Sequence, residues 1–206
     1  MSDVKRKGRP PEHDKADLLR AARAVAAERG FDSLRFTDIS TATGVPVSSL
    51  QYVFGTREVL VREVLRHGVA DELERLRREI DQQADPWSRI ETFIKLGISI
   101  DDDQRREGWL LWMEYWRAAF RDPELREESG VTTRGWRSLI RRAVDDGVTL
   151  GHFSIDGSSD EVAAALVALV DGMSLQVLVG DNRMKAARAT RTAVRAARRM
   201  LGVALT

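Results

Sequence analysis

Along most of the chain, apolar residues recur at intervals of three and four, with charged residues between them. This spacing puts the apolar side chains on one face of a helix, so it predicts a succession of amphipathic helices. Asp85-Pro86 and Asp122-Pro123 interrupt the pattern, because the residue before a proline is disfavoured in a helix. The predicted helices cover about residues 17–30, 38–43, 47–54, 57–83, 86–100, 105–121, 124–147, 160–179 and 183–201. The pattern therefore predicts an all-α fold.

Two of the predicted helices are short and are joined by a glycine turn. We expect the Thr37 hydroxyl to cap the helix at 38–43, and Gly44 to end it in a left-handed conformation. Pro46 suits the start of the helix at 47–54, because its missing N–H would have no helical partner. Two helices joined in this way form a helix-turn-helix. The spacing alone also allows an ordinary corner between two helices of an all-α protein.

The second helix of this pair has a predicted inner and outer face. Leu50 and Phe54 are one turn apart and should pack inward. Serine and glutamine on the outer face can hydrogen-bond base edges in the major groove of DNA, whereas a tyrosine hydroxyl more often contacts phosphate. The candidate DNA-contacting residues of this face are Val47, Ser48, Ser49, Gln51 and Tyr52.

The segment from 44 to 60 resembles the DNA-binding signature of the TetR family of bacterial transcriptional regulators. The matching residues are Gly44, Val45, Leu50, Phe54, Gly55, Thr56, Arg57, Glu58 and Leu60. Two positions depart from the family pattern, since Gln51 stands where a tyrosine is common and Val53 where a second aromatic residue is common. The resemblance implies an N-terminal three-helix DNA-binding domain followed by a helical ligand-binding and dimerisation domain. It also implies that Arg57, Thr37 and Tyr52 contact the DNA backbone.

A basic segment precedes the first predicted helix. Lys5, Arg6, Lys7 and Arg9 lie in a run with glycine and proline, which cannot hold regular structure. Such an arm can bind DNA through release of counterions, or it can be a solvated terminus. We therefore expect a flexible basic arm at 1–13, a helix-turn-helix domain at 14–60, and an effector-binding and dimerisation domain at 61–206.

An aromatic stripe marks the helix predicted at 105–121. Large rings at intervals of three and four are typical of core packing, and they also line pockets for apolar or cationic ligands. A cation over the tryptophan faces, with Glu114 or Asp171 nearby, is one hypothesis for the effector. Asp171 and Gln176 either have partners within the bundle or bring polar groups to a pocket. The candidate pocket residues are Trp109, Trp112, Met113, Trp116, Phe120, Trp136, Asp171 and Gln176.

The helix predicted at 160–179 is too apolar to lie on a solvated surface, so it is either a core helix of a monomer or part of a subunit interface. The family resemblance implies a homodimer formed through the helices at about 160–179 and 183–201. It further implies a repressor that binds a near-palindromic operator and responds to a small molecule in the helical domain. The body also resembles choline-responsive repressors in W-x-x-x-F-R-D-P-E-L and A-L-V-D-G-M, which does not identify the effector.

Composition narrows the alternatives. A chain of 206 residues with 43% hydrophobic content can bury a sizeable core. The formal net charge of +1 means that DNA affinity must come from a local basic patch. The absence of cysteine excludes disulfides and thiolate metal sites. We find no apolar run that should span a membrane and no signal peptide, and we expect a cytoplasmic protein.

Neither a metal site nor a catalytic site has sequence support. His13, His67 and His152 are scattered singly. Asp101 to Asp103 lack the spaced ligands of a calcium loop, and we expect them to form a solvated loop. No nucleophile elbow, phosphate-binding loop or metalloprotease motif occurs, so we expect a protein that is not an enzyme and needs no cofactor. The alternatives are a DNA-binding protein without an effector and, more remotely, an all-helical enzyme that uses the aromatic cleft.

Overall fold

The computed structural model describes residues 14–99, 103–180 and 183–204. Within these ranges the chain forms helices and no strand, which confirms the all-α prediction. The helices are α1 Lys15–Arg29, α2 Phe36–Thr43, α3 Val47–Phe54, α4 Arg57–Asp81, α5 Pro86–Ile98, α6 Asp103–Ala119, α7 Pro123–Thr149, α8 Ser159–Leu178 and α9 Ala186–Met200, with a short 3-10 turn at Phe31–Ser33. The chain divides into two compact units within α4, between Gly68 and Val69.

The first unit contains the predicted helix-turn-helix. Gly44 ends α2 with φ 73° and ψ 0°, the left-handed conformation that glycine adopts without steric cost. Leu50 and Phe54 of α3 are buried, as predicted. Ile39 of α2 and Leu18 of α1 are buried in the same unit. The basic arm at 1–13 lies outside the described residues.

The start of α2 differs from the prediction. The helix begins at Phe36, so Thr37 lies inside its first turn and is not the cap. The Asp38 carboxylate instead accepts a hydrogen bond of 3.0 Å from the backbone N–H of Arg35, and a second of 2.6 Å from the Arg29 guanidinium. An acidic side chain at this position satisfies a free donor at the helix N-terminus, which moves the start of the helix towards the N-terminus.

The second unit is a bundle with its core among α5, α7, α8 and α9. Aspartate caps begin two of its helices: the Asp85 carboxylate accepts from the Ser88 N–H at 2.9 Å, and the Asp122 carboxylate accepts from the Glu124 N–H at 3.0 Å. A proline follows each cap in the first turn, where it costs no hydrogen bond. Alanines at 189, 193 and 197 form the buried face of α9, so small side chains let this helix approach its neighbours closely.

Helix α6 departs from the predicted bounds at both ends. It begins at Asp103, so the prediction that this residue belongs to a loop is wrong. Asp101 lies outside the described residues, as does the aspartate after it. The helix ends at Ala119, which leaves Phe120 in the turn before α7. On α7, Val131 is 57% exposed.

Helix α8 is unusually apolar. By its length and its mean hydropathy of 1.6 this helix could cross a membrane, although Asp171 interrupts its apolar run. It is the one helix among the described residues that meets this test. Val162, Leu166 and Val170 lie in the core of the second unit, as expected for the inner face of a bundle helix. Only 33% of the apolar stretch is buried, however, so the described residues leave the outer face of α8 uncovered.

Candidate functional site

The outer face of α3 is solvent-exposed and polar. Ser48, Ser49 and Gln51 are exposed, and Tyr52 is 89% exposed. Val47 is half-buried at the start of the helix. Because Leu50 and Phe54 hold the opposite face in the core, these side chains point away from the first unit. This arrangement leaves the donors and acceptors of α3 free to meet base edges in a major groove.

Arg57, at the start of α4, is engaged within the first unit. Its guanidinium donates from Nε to the carbonyl of Leu34 at 2.7 Å and from Nη2 to the carbonyl of Phe31 at 3.1 Å. Nη2 also donates to the carbonyl of Asp32. Three carbonyls of one turn are therefore satisfied by one half-buried side chain. Arg57 ties this turn to α4, a role that the sequence did not indicate.

The second unit contains a cavity that includes the aromatic stripe. Part of this space opens to solvent, and the enclosed volume is about 80 Å³. Its walls come from α4, α5, α6, α7 and α8. The lining tryptophans are Trp109, Trp112, Trp116 and Trp136.

Ring contacts and hydrogen bonds hold the tryptophans in place. The ring centroids of Trp112 and Trp116 are 5.9 Å apart, and the Trp136 ring lies 6.0 Å from Phe93. Trp109 donates from its indole N–H to the carbonyl of Gly97 at 2.8 Å. The aromatic wall is thus positioned by neighbouring side chains and by the backbone of α5 before any ligand enters.

Gly97 is the junction at which α5, α6 and α8 meet. The Ser174 hydroxyl of α8 lies 2.7 Å from the Gly97 carbonyl and 2.6 Å from the Val170 carbonyl. A Cβ atom at Gly97 would lie 2.4 Å from Cγ1 of Val170, which is too close for any real contact. A glycine at this position therefore lets α5 and α8 approach as closely as they do.

Asp171 is an acidic group in the cavity wall without a partner. Burial raises the pKa of its carboxyl from the ordinary 3.8 to about 6. Within the described part of the chain, no hydrogen bond or ion pair to this carboxylate offsets that burial. A cation bound in the cavity would supply the missing counter-charge.

A second set of charges lines the cavity from α4. The Arg75 guanidinium donates to both oxygens of the Glu72 carboxylate, at 2.6 Å and 3.2 Å, and to Glu79 at 2.6 Å. These carboxylates raise the pKa of Arg75, and the hydrogen bond to Glu72 has the largest effect. Glu72 is buried, and a Cβ at Gly108 of α6 would come within 2.9 Å of its Oε1. The charge of the Glu72 carboxylate is already balanced by Arg75, whereas that of Asp171 is not balanced by any described residue.

Five of the eight predicted pocket residues line the cavity: the four tryptophans and Asp171. Met113 and Phe120 instead line an adjoining groove. Gln176 lines neither space. It lies five residues beyond Asp171 on α8 and faces outward, so the prediction that it lines the pocket is wrong. Glu114 is paired with Arg117 at 2.7 Å and is absent from the cavity wall. Glu72 and Arg75 were missed, since charges on an amphipathic helix give the same signal as a solvated face.

Two family models together match most of the chain. Residues 18–64 match the model for bacterial regulatory proteins of the tetR family. Residues 86–202 match the model for the C-terminal region of BetI-type transcriptional repressors. The first match contains the exposed face of α3, and the second contains the aromatic stripe and Asp171.

Curated relatives are similar over most of their length. The chain is 23% identical over 164 residues to the HTH-type transcriptional regulator BetI of Burkholderia cenocepacia (strain HI2424), which covers 79% of this chain and 80% of that protein. It is 24% identical over 145 residues to the HTH-type transcriptional repressor KstR2 of Mycobacterium tuberculosis (strain H37Rv), which covers 69% and 72% respectively.

Solved structures share the fold. A transcriptional regulator from Saccharomonospora viridis in complex with choline has a TM-score of 0.75 and 26% identity, covering 85% of this chain and 91% of that chain. A TetR-family regulator from a Rhodococcus species has a TM-score of 0.73 and 25% identity, covering 90% and 97%. CifR in complex with operator DNA has a TM-score of 0.64 at 20% identity, covering 92% and 98%.

Proposed function

The chain belongs to the TetR family of bacterial transcriptional regulators, and we propose that it is a homodimeric repressor controlled by a small organic cation. The observation that carries this proposal is Asp171, an acidic group that has no partner among the described residues and lies in a cavity lined by four tryptophans. The family and its relatives are regulators and not enzymes, which supports an effector-binding role for the cavity over a catalytic one.

We assign base reading to Ser48, Ser49 and Gln51 on the exposed face of α3. The amide of Gln51 can make two hydrogen bonds to an adenine, and the hydroxyl groups can bond either strand's base edges. Tyr52, which is 89% exposed, would contact the phosphate backbone. Thr37 is exposed on α2 and would do the same.

Arg57 and the basic arm at 1–13 are also predicted DNA contacts, but their support differs from that of the α3 residues, which lie on an exposed helix face. Arg57 already donates to three carbonyls, so we propose that it supports DNA binding chiefly by holding the turn at 31–34 in place. The basic arm lies outside the described residues and stays a proposed backbone contact through Lys5, Arg6, Lys7 and Arg9.

A homodimer is supported by the outer face of α8. Leu175 is 45% exposed and Val179 is 71% exposed on a helix that is otherwise apolar, and such a face is buried in most stable proteins. The outer face of α9 is basic, with exposed Arg188, Arg191 and Arg195. We therefore propose that α8 forms the apolar centre of the subunit interface and that α9 contributes its charged rim. Two-fold symmetry would present two α3 helices to a near-palindromic operator, with half-sites about 34–36 Å apart or a multiple of that.

The effector is proposed to be a small organic cation such as choline. Aromatic faces attract quaternary ammonium groups, by about 0.5–2 kcal/mol for each contact, and Asp171 adds a negative charge in a partly dry site. A regulator that is 26% identical to this chain is in complex with choline. A DNA-binding protein without an effector would fit a closed core beside Trp109 and Trp112, whereas a cavity lies there.

Control of DNA binding requires that the cation prefer one conformation of the protein over another. Helix α4 carries cavity residues Glu72 and Arg75 in its second half and Arg57 at its start. We propose that a cation acts through this helix, because α4 runs without a break from Arg57 to Asp81.

The test is selection of random duplex DNA by the purified protein at two salt concentrations. A specific regulator enriches a near-palindrome at both concentrations, because base contacts are less sensitive to salt than phosphate contacts. Binding that is sequence-blind and disappears at the higher salt concentration would contradict the proposed role as an operator-binding dimer.

A further inference from the structure

A shallow apolar groove adjoins the effector cavity on the surface of the second unit. Trp116 and Asp171 belong to the walls of both. Phe120, which is 79% exposed, and Leu175, which is 45% exposed, form other parts of the groove wall. The outer side of the cavity wall is therefore an uncovered apolar surface.

The groove continues into a regular pattern on α8. Residues at spacings of three and four form the exposed side of this helix; we call them the α8 stripe, and they are Ala165, Ala168, Gly172, Leu175 and Val179. Alternation of three and four is the spacing of a helix-packing seam. Gly172 and Leu175 belong to both the α8 stripe and the groove. Apart from the neighbouring backbone of α8, no described atom lies within 4 Å of a Cβ built at Gly172, so there is room for a second helix to approach.

Within the described part of the chain, no residue covers this surface. The undescribed segments at 100–102, 181–182 and 205–206 are two or three residues long. The segment at 1–13 is rich in lysine and arginine and is unsuited to an apolar groove. An apolar surface that a chain cannot cover with its own residues is typically covered by another subunit.

We propose that a second copy of this chain covers the groove through its own α8 stripe, so that each protomer closes the outer side of its partner's effector cavity. This inference rests on the proposed homodimer and cation site and adds a link between them. Covering the groove would restrict the Trp116 ring and exclude water from the outer side of Asp171. Both effects favour a bound cation, because a held ring costs less entropy on binding and a drier carboxylate attracts a cation more strongly.

The link is reciprocal. If dimerisation strengthens cation binding, then cation binding must strengthen the dimer by the same factor. A protomer separated from its partner would keep all of its own cavity residues and still bind the cation less tightly. This result would not be expected if the cavity were complete within one protomer.

The first experiment measures the accessibility of the groove. The chain has no cysteine, so Phe120→Cys introduces a single thiol at a position that is exposed in the protomer. Ala84→Cys, in the exposed loop between α4 and α5, is the matched control. Ala168→Arg, in the α8 stripe but outside the groove and the cavity, separates the subunits, and Ala84→Arg is its control.

We expect sedimentation velocity to show a dimer in which the thiol of Phe120→Cys reacts with a maleimide about tenfold or more slowly than that of Ala84→Cys. Adding Ala168→Arg should give a monomer in which both thiols react at similar rates. Leu175→Cys, on the other side of the groove, should repeat the result. A dimer whose groove thiols react as fast as the control would overturn the covered groove and leave the homodimer intact. A wild-type monomer at the labelling concentration would overturn both.

The second experiment measures the affinity for choline by calorimetry. Ala168→Arg should weaken choline binding about fivefold or more, the usual lower size of a coupling between sites, and Ala84→Arg should leave it unchanged. Wild-type affinity in the monomeric Ala168→Arg protein would show that the partner adds nothing to the site. Failure of the wild-type dimer itself to bind choline would contradict the proposed effector class, and with it the link.

Discussion

Asp171→Asn should make the second unit more stable at neutral pH and less able to bind cations. The carboxylate is half-buried in the cavity wall with no partner among the described residues, and an amide is uncharged and of nearly the same size. The gap between a pKa of about 6 in the folded protein and the ordinary 3.8, at about 1.36 kcal/mol for each pH unit, corresponds to about 3 kcal/mol. This is the stability that we expect the substitution to restore.

The stability advantage of Asp171→Asn over wild type should grow as the pH rises. Because burial raises the pKa of Asp171, the folded state holds this proton at pH values where the unfolded state has lost it. Stability is therefore greatest below the unfolded pKa and falls as the pH rises through about 6. The cost of the ionised carboxylate is about 1.6 kcal/mol at pH 5 and about 3 kcal/mol at pH 7.5, so the advantage of Asn should grow by about 1.4 kcal/mol between them.

Urea unfolding followed by tryptophan fluorescence measures this advantage. All five tryptophans lie in the second unit, so the signal reports the part of the protein that contains Asp171. Protein concentration must be held constant, because dissociation of a dimer adds to the measured free energy. Asp145→Asn is the matched control, because it also removes one negative charge, but from an exposed position of α7.

Two results would refute this reasoning. The first is an Asp171→Asn variant that is no more stable than wild type at pH 7.5. The second is an advantage of the same size at pH 5 and pH 7.5, which would mean that the carboxylate is not ionising in a buried site. If the variant is more stable and also loses choline affinity, then Asp171 is a charge kept for binding at the expense of stability.

Four further changes test other parts of the site. Gly97→Ala should destabilise the second unit by about 1–3 kcal/mol in urea unfolding, because its Cβ would overlap α8, whereas Gly135→Ala meets no atom within 4 Å and should not; equal stabilities would disprove the close approach. Trp116→Leu should weaken choline binding about 2- to 30-fold in calorimetry, the value of one cation–π contact, and unchanged affinity would remove this ring from the site. Arg57→Ala should destabilise the first unit by about 1–3 kcal/mol, measured by circular dichroism, because three carbonyls lose their donor; a stable variant with weakened DNA binding would favour a direct phosphate contact instead. Gln51→Ala should change which duplexes are preferred in a binding selection, and a uniform loss across all duplexes would argue against base reading.

Much of the fold is predictable from the sequence because local signals agree with packing. The three-and-four periodicity and the Asp-Pro pairs place the long helices to within a few residues, since the prolines sit in first turns and the aspartates cap them. The start of α2 was misplaced because two side chains could cap it. Both residue types favour helix N-termini, yet it is Asp38 that reaches the free N–H of Arg35, and sequence alone does not decide between them.

The site is predictable only in part, for a different reason. The tryptophans of α6 share a face by helical spacing, so their common location in one wall follows from local geometry. Glu72 and Arg75 lie on a helix with many charges, and their burial depends on which helix covers them. The close contact between Gly108 and the Glu72 carboxylate is a tertiary feature with no local signal. Gln176 faces outward because five residues of helix carry it away from the side on which Asp171 lies.

The central claim is that one protein joins operator binding to a cation in the tryptophan-lined cavity, and fluorescence anisotropy tests it most directly. A labelled duplex carrying the selected near-palindrome would be titrated with the protein at fixed salt, with and without saturating choline. We predict that choline changes the operator affinity about fivefold or more, and that Asp171→Asn abolishes the change while still binding the duplex. Choline that saturates the cavity without changing the operator affinity would contradict the claim.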